Sequence, residues 1–446
     1  MTTNNDIQTV IVVGGGLVGS LCAIFMAKKG YHVTVFEYRE DIRCAQLLRG
    51  RSINMSLSNR GRRALSAVGL ENLIIGNAIP MKGRLLHDLE GKTKSVAYDP
   101  TTGQCIYSIS RNYLNRTLLT ELENHSNVKI FFHHRLISAN FDDETITVLN
   151  LKSQEVETHS ADLIIGADGA YSTLRRFMQQ TPLFEFSQTY IKHGYLELKI
   201  PPKNGHKMLP NHLHIWPRGE FMMIALPNQD KSWTVTLFMP FVNFKILKNS
   251  HQLIQFFKVT FPDAVQLIGE ELLVSDFFKV KPSPLVSIKC NPYHVGRKFL
   301  IVGDAAHAMV PFYGQGMNAG FEDCFILDDI LYANKNDIGS SVEEFSKKRT
   351  EDAFAICDLA MYNYVEMRDL VTRRSYHLRK LLDEVLFKLF PMNWIPLYNS
   401  VTFSGMSYKK CIKNREWQNM VIQRTFLGII IGVVGILLYL FRIWWY

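Results

Sequence analysis

Thr9-Val10-Ile11-Val12-Val13-Gly14-Gly15-Gly16-Leu17-Val18-Gly19 opens on an apolar, β-branched run and turns at once into a glycine-rich loop. Gly14, Gly16 and Gly19 stand in GxGxxG spacing. Such glycines permit a tight turn, let the backbone approach a pyrophosphate, and let the next helix pack on the strand. Ser20 to Lys29 reads as that helix, with Ala23 and Ala27 on its packing side and Gly30 as its stop. His32 to Glu37 reads as the next strand. Strand, loop, helix and strand make a βαβ unit of about thirty residues, the context the pattern requires. The fold class that follows is α/β, with a Rossmann-like nucleotide-binding domain. The helix start offers free N–H groups and the positive end of its dipole to an anion. Glu37 ends the second strand eighteen residues past Gly19, where a carboxylate accepts hydrogen bonds from ribose hydroxyls. Phe36 and Tyr38 flank it as further candidate contacts. Arg39 reads either as a partner for a 2′-phosphate or as a surface cation.

A second loop says which nucleotide. Gly303-Asp304-Ala305-Ala306-His307 follows the apolar run Phe299 to Val302, and Pro311-Phe312-Tyr313-Gly314-Gln315-Gly316-Met317-Asn318 follows that. A carboxylate at such a strand end can hold a sugar or ribityl hydroxyl. The Gly314 to Asn318 stretch opens a helix whose amides and dipole can stabilise negative charge on a flavin ring. The two loops together point to FAD. Asp168-Gly169 follows another apolar run, Leu163 to Gly166, and precedes Ser172, Thr173 and Arg175. A turn after a buried strand accounts for that glycine by itself. His307 reads as structural. His133-His134 and His212/His214 lack Cys or Asp partners at ligand spacing, so no metal site is expected.

The chain has 446 residues, enough for two or three domains. With 47% hydrophobic and 20% charged residues it reads as ordered and globular. Seven dispersed cysteines with no CxxC spacing fit reduced thiols facing the cytosol. The first apolar run is already the strand before the loop, so no signal peptide is expected. Thr425 to Phe441 is seventeen residues without a charge, flanked by Arg424 and Arg442 and closed by Trp444, Trp445 and Tyr446. That is the short end of a membrane span with an interfacial aromatic cluster; a buried core helix is the alternative. The net charge is +9, and after residue 405 six cations stand against the single Glu416. A basic patch beside an apolar segment reads as membrane-facing, and no nucleic-acid signature is present. A single-pass C-terminal anchor with a cytosol-facing body is expected. No feature specifies an oligomer.

Elsewhere, Ser58 to Val68 and Arg116 to Asn124 read as helices, and Val128 to Phe132 as a strand. Tyr195 to Ile200, Leu213 to Trp216, Phe221 to Leu226 and Trp233 to Phe238 alternate as strands of an antiparallel sheet in a second, substrate domain. Residues 340 to about 390 read as helical up to Pro391 and Pro396. Residues 376–397 are amphipathic, with Leu378, Leu381, Leu382, Val385 and Leu389 on one side, for a membrane surface or the flavin domain. The expected division assigns 1–70, 104–180 and 295–335 to the FAD-binding part and 71–103 and 181–294 to the substrate domain. Residues 336–405 form a helical region and 425–441 the anchor.

Gly14–Gly19, Asp168-Gly169 and Gly303-Asp304 resemble the three fingerprints of single-component flavoprotein aromatic hydroxylases. Gly50-Arg51-Ser52-Ile53-Asn54, His193-Gly194-Tyr195, Leu213 to Arg218, Phe221 to Pro227 and Met361 to Arg368 look like the animal kynurenine 3-monooxygenase family. The resemblance runs from about residue 7 to 405. It implies FAD contacts at Glu37, Arg39, Arg111, Leu136, Thr173, Asp304, Met317 and Asn318, with Val18 and Ser56 nearby. It implies Arg84, Tyr98, Asn363 and Tyr398 at the amino-acid end of L-kynurenine. The implied reaction is NADPH- and O₂-dependent 3-hydroxylation of L-kynurenine to 3-hydroxykynurenine through a flavin hydroperoxide, in tryptophan breakdown toward NAD. NADPH would bind transiently, since no second GxGxxG is present. Phe312 and the Pro311–Gly316 loop would lie near the reacting face, with no side chain as nucleophile or base. The implied location is the mitochondrial outer membrane.

The residues' own chemistry points the same way. Arg84 can pair a carboxylate bidentately while Tyr98 adds a hydroxyl donor. Asn363 and Glu366, three apart on a predicted helix, share a face with Ala360, Met361, Tyr364 and Met367. Polar groups there need partners or a ligand; a solvated face or a core network is the alternative. Two other functions fit parts of the pattern: a membrane-anchored FAD reductase or epoxidase acting on a lipid, and a non-catalytic tail-anchored adaptor.

Overall fold

The computed structural model describes residues 8–44 and 54–445, so Gly50 to Ile53 of the quoted motif lie outside the described residues. A six-stranded sheet runs in the order His294–Val295, Phe299–Ile301, Leu163–Gly166, Thr9–Val13, His32–Glu37, Val128–Phe132. All its pairs are parallel except the edge pair of His294–Val295 with Phe299–Ile301. A parallel sheet covered on both faces needs near-continuous apolar strands, and Val10, Val12, Val33, Val35, Leu163 and Ile165 are all buried. The helix Leu17–Lys28 packs against the helices Arg111–Glu123 and Gly316–Ala333. It starts three residues before the sequence reading, because extended Gly16 is its N-cap. Its positive end therefore lies in the glycine loop itself. The helix Arg111–Glu123 also starts early, where the Ser110 hydroxyl accepts the Tyr113 N–H.

The second large sheet has seven strands, ordered Ser283–Asn291, Glu185–Ile200, Trp233–Pro240, Met222–Pro227, His212–Pro217, Gly83–His87, Thr93–Ala97. It is antiparallel except where His212–Pro217 pairs in parallel with Gly83–His87. That pairing draws Arg84 into the sheet from a distant part of the chain. Strand alternation divides its faces. Trp216, Met223, Trp233, Val235 and Leu237 pack on one side. That side also holds Leu253, Phe257, Val265 and Phe277, from the helices Ser250–Thr260, Pro262–Ile268 and Glu270–Lys279, and Phe261 at the junction of the first two. These short helices lie in a stretch that the sequence presented only as sheet. Leu213, Ile215, Met222, Leu226 and Phe238 belong to the other side, toward the body of the protein.

The expected helical region is interrupted. Ile338–Arg368 ends at Asp369, a 3₁₀ turn spans Leu370–Thr372, and Arg374–Leu389 follows. No Gly or Pro marks this break; the Asp369 carboxylate pairs with Arg373 and its carbonyl accepts the Thr372 hydroxyl. On Arg374–Leu389 the polar face is inward, with Asp383 held by Arg379 and Arg415, while Leu378, Leu381, Val385 and Leu389 are exposed.

Thr425 to Phe441 belongs to a single 38-residue helix, Tyr408–Trp445, about 57 Å long at 1.5 Å per residue. Its most apolar window has a mean hydropathy of 2.5 and is entirely exposed, which removes the buried-core reading. It is the one helix among the described residues long and apolar enough to cross a membrane.

Candidate functional site

A cavity of about 780 Å³ lies where the parallel strands end and the seven-stranded sheet begins. Open α/β sheets take ligands at the carboxyl ends of their strands, and Val13, Phe36, Ala167 and Val302 put four such ends in its wall. The volume is in the range of cofactor and substrate pockets.

At one end stands the first glycine loop. Gly14 has φ +108°, and a Cβ there would come within 2.5 Å of the Ala167 carbonyl oxygen. A Cβ on Gly19 would lie 1.9 Å from the Gly14 carbonyl oxygen, so Gly19 serves helix–loop packing and does not itself line the cavity. A Cβ on Gly16 would meet nothing within 4 Å. No protein atom demands that glycine; open cavity lies against it, as a backbone cradle for a pyrophosphate requires. Glu37 holds the loop, its Oε2 accepting the Gly15 N–H at 2.7 Å and its Oε1 the Arg39 N–H at 2.9 Å. Val18, Phe36, Tyr38, Arg39, Ser56, Arg111, Leu136 and Thr173 also line this cavity.

The other two fingerprints meet beyond that loop. Asp168 Oδ2 accepts the N–H groups of Thr173 and Leu174, while Oδ1 is buried without a partner. Burial pushes its carboxyl upward against those hydrogen bonds. Arg175 joins the loops, donating to the carbonyls of Ala170 and Ala305. Asp304 lines the cavity, and the surface it exposes is cavity wall. Burial raises its pKa, offset first by Arg111 and then by His307. Behind it, fully buried Asp323 accepts the Gly303 N–H at 2.8 Å, His307 Nε2 at 2.6 Å and Arg349 Nε at 2.6 Å. His307 and Arg349 hold the Asp323 carboxyl below its usual range despite its burial. His307 is thus a structural residue that fixes the turn presenting Asp304.

Gly314, Gly316 and Met317 continue the wall. Asn318 does not reach it: its amide donates to the carbonyls of Ser56 and Gly314 and its oxygen accepts the Ser58 N–H. It fastens the turn instead of facing a ligand with its side chain.

At the far end the wall becomes aromatic and cationic. Tyr98 stacks on Tyr398 at 5.0 Å, Tyr398 stacks on Tyr313 at 5.7 Å, and the Arg84 guanidinium sits 4.7 Å over Tyr398. Phe312 packs between Phe238 and Tyr364. Asn363 donates to the Phe312 carbonyl at 2.7 Å. Arg84 is 5% exposed; its Nη1 pairs with Glu366 at 3.0 Å, while its Nε is buried with no acceptor. Burial opposes its charge, but Tyr376, Glu366 and Tyr398 hold the guanidinium charged. The Tyr98 hydroxyl lies close to Tyr398 and Arg84 without a hydrogen bond of good geometry. Burial raises its pKa and keeps it neutral. Two donors, one cationic, thus lie buried in the wall without an acceptor of good geometry, which suits a carboxylate. Glu366 is not in this wall; it lines a smaller cavity of about 110 Å³ behind Arg84, Tyr98 and Tyr398.

Some of the wall went unread in the sequence. Ile224 and Phe238 form its apolar side, yet alternation alone does not say which face of a sheet looks into a cavity. Asp323 and Arg349 carry no local motif.

The description "FAD binding domain" belongs to a family model that matches residues 7–356. The chain is 57% identical over 440 residues to the kynurenine 3-monooxygenase of Anopheles gambiae, covering 97% of this chain and 90% of that one. To the kynurenine 3-monooxygenase of Sus scrofa it is 48% identical over 435 residues, covering 96% and 92%. Among solved structures, the tetrameric form of 2-methyl-3-hydroxypyridine-5-carboxylic acid oxygenase superposes with a TM-score of 0.67 at 18% identity, covering 88% of this chain and 99% of that one. The p-nitrophenol 4-monooxygenase of Pseudomonas putida gives 0.66 at 18% identity, covering 87% and 95%. These two structural likenesses concern the fold.

Proposed function

The chain belongs to the kynurenine 3-monooxygenase family, and from that membership we propose how its cavity divides between FAD and L-kynurenine. Its activity is FAD-dependent hydroxylation of kynurenine. When bound and reduced by NADPH, FAD would activate O₂, one atom of which enters the aromatic ring while the other leaves as water. Everything else falls to the chain.

The FAD-binding body is assembled in this reading from 1–70, 104–180 and 295–335. Gly14, Gly16 and the start of the helix Leu17–Lys28 take the pyrophosphate on backbone N–H groups. Glu37, with Phe36, Tyr38 and Arg39 beside it, takes the adenosine ribose. Arg111, Leu136, Thr173 and Ser56 border the path between, and Asp168 and Asp304 accept hydroxyls of the ribityl chain. The Gly314–Gly316 turn, with Met317, offers amides and a helix start to the electron-rich edge of the flavin ring.

Arg84 Nε and the Tyr98 hydroxyl bind the carboxylate of L-kynurenine, with Tyr398 and Asn363 beside them and Glu366 holding Arg84 from behind. Phe238, Phe312 and Ile224 hold the aniline ring and exclude water. No side chain here has to act as nucleophile or base; the aniline nitrogen itself makes the ring electron-rich. The observation that carries this reading is the pair of unpaired donors, Arg84 Nε and Tyr98 hydroxyl, in a buried wall. A lipid without a carboxylate would leave such a pair unmet, which speaks against a reductase or epoxidase of neutral lipids.

The C-terminal helix anchors the protein to a membrane. The family resemblance and the basic approach to the span support the cytosolic face of the mitochondrial outer membrane, with a single pass. Purification in detergent tests the whole. A yellow flavin protein whose NADPH oxidation accelerates with L-kynurenine is expected; bound FAD with no response to kynurenine contradicts the substrate assignment.

A further inference from the structure

We propose that Tyr408, the first residue of the C-terminal helix, is a positioning residue for the hydroxylation, acting through Gln315 on the Gly314–Gly316 turn. The Tyr408 hydroxyl donates to Gln315 Oε1 at 3.2 Å across 93 positions of sequence, and both side chains are buried. Gln315 stands between two glycines of the cavity wall, and its carbonyl accepts the Ala319 N–H at 2.7 Å, where the helix Gly316–Ala333 begins. The turn is thus held from two sides. Asn318 ties Gly314 and Ser56 from within, and Tyr408 holds Gln315 from the root of the membrane helix.

Tyr408 is itself firmly set. The Arg60 guanidinium lies 3.8 Å over its ring, pairs with Glu322 at 2.6 Å and donates to the Val401 carbonyl at 2.8 Å. The Lys409 N–H donates to Asp352 Oδ1 at 2.9 Å, and Asp352 Oδ2 pairs with Arg349 at 2.8 Å. Arg349 also holds Asp323, which fixes the Gly303 turn. One buried network therefore joins the helix root to both turns at the flavin end. The Tyr408 ring lines neither cavity. A phenylalanine would fill the same volume, so the hydroxyl's particular contribution is the placement of Gln315. This inference rests on reading the Gly314–Gly316 turn as the one that faces the flavin ring.

The test uses the full-length holoenzyme in detergent, as Tyr408→Phe, Gln315→Met and the double variant, with Gly316→Ala as a reference. A Cβ on Gly316 would meet protein no closer than 4.0 Å, so the fold accepts that alanine while the cavity wall changes. For Tyr408→Phe, retained FAD, a displaced visible flavin spectrum and an unchanged KM for L-kynurenine are expected. The 3-hydroxykynurenine formed per NADPH consumed falls roughly three- to tenfold, the scale of one hydrogen bond. The double variant is no worse than either single one. A normal spectrum and product ratio in Tyr408→Phe, or losses that add in the double variant, overturn the proposal. An unchanged spectrum and ratio in Gly316→Ala overturns the underlying reading of the turn instead. Should Tyr408→Phe not fold, Gln315→Met gives the same readouts from the other side of the bond.

Discussion

Arg84 Nη1 lies 3.0 Å from Glu366 Oε1, and the pair stands between the large cavity and the small one behind it. One edge of the guanidinium is thereby committed to the protein, and Nε remains for a ligand. Arg84→Ala is expected to raise KM for L-kynurenine by roughly ten- to a hundredfold, the scale of a charge-assisted hydrogen bond, while FAD affinity stays within about twofold. Steady-state kinetics and flavin titration check this. Equal losses of both affinities contradict the carboxylate role.

The glycine loop separates fold from cofactor. Gly16→Ala adds a methyl that no protein atom approaches within 4 Å. The apoprotein should melt within a few degrees of the parent yet bind FAD at least roughly tenfold more weakly, since the backbone no longer reaches the pyrophosphate. Gly19→Ala should instead lower the melting temperature, because its methyl would strike the Gly14 carbonyl oxygen.

Asp323 is a stability residue with a catalytic consequence. It accepts Arg349 Nε and the N–H groups of His307 and Gly303, while Glu322 and Asp352 share the rest of the Arg349 charge. Asp323→Leu leaves those donors buried, a change that costs about 3–5 kcal/mol when one partner of a buried pair is removed. Urea unfolding measures it. A loss under about 1 kcal/mol would show that the network contributes little.

His214 gives a pH dependence. The Leu209 carbonyl can only accept, so His214 Nε2 carries the proton and Nδ1 accepts from His87, whose other nitrogen meets Asp263. Burial lowers the His214 pKa to about 3 from 6.5, with His87 and His212 adding to it and Asp263 opposing. Below pH 6.5 the unfolded chain takes up a proton that the folded chain refuses, so stability falls as pH drops toward 3, by at most about 1.4 kcal/mol per pH unit. The lowered Asp263 pKa works in the same direction in acid. Melting temperatures from pH 7 to 4 should fall less steeply in His214→Gln than in the parent; parallel slopes would contradict the assignment.

The nucleotide-binding half was legible because its signals are local. Strand, turn and helix from Thr9 to Lys28 are adjacent in sequence, and Gly15 and Gly19 answer contacts within that βαβ unit, while Gly14 answers the Ala167 turn and Gly16 borders the cavity. The substrate end was legible only in its residue types. Arg84 becomes buried because Gly83–His87 pairs with a strand more than a hundred residues away, and Glu366 approaches it from a third element. The helices between Ser250 and Lys279 are 7 to 11 residues long, too short for periodicity to stand out beside apolar strands. Nothing near Tyr408 announces Gln315, since that bond exists only once the tail has folded back.

The most direct measurement supplies the detergent-purified protein with FAD, NADPH, L-kynurenine and ¹⁸O₂ and follows the product by mass spectrometry. The expected product is 3-hydroxykynurenine carrying one ¹⁸O atom, in near-equal amount to the NADPH consumed. Kynurenine-stimulated NADPH oxidation that yields peroxide and no labelled product would contradict it.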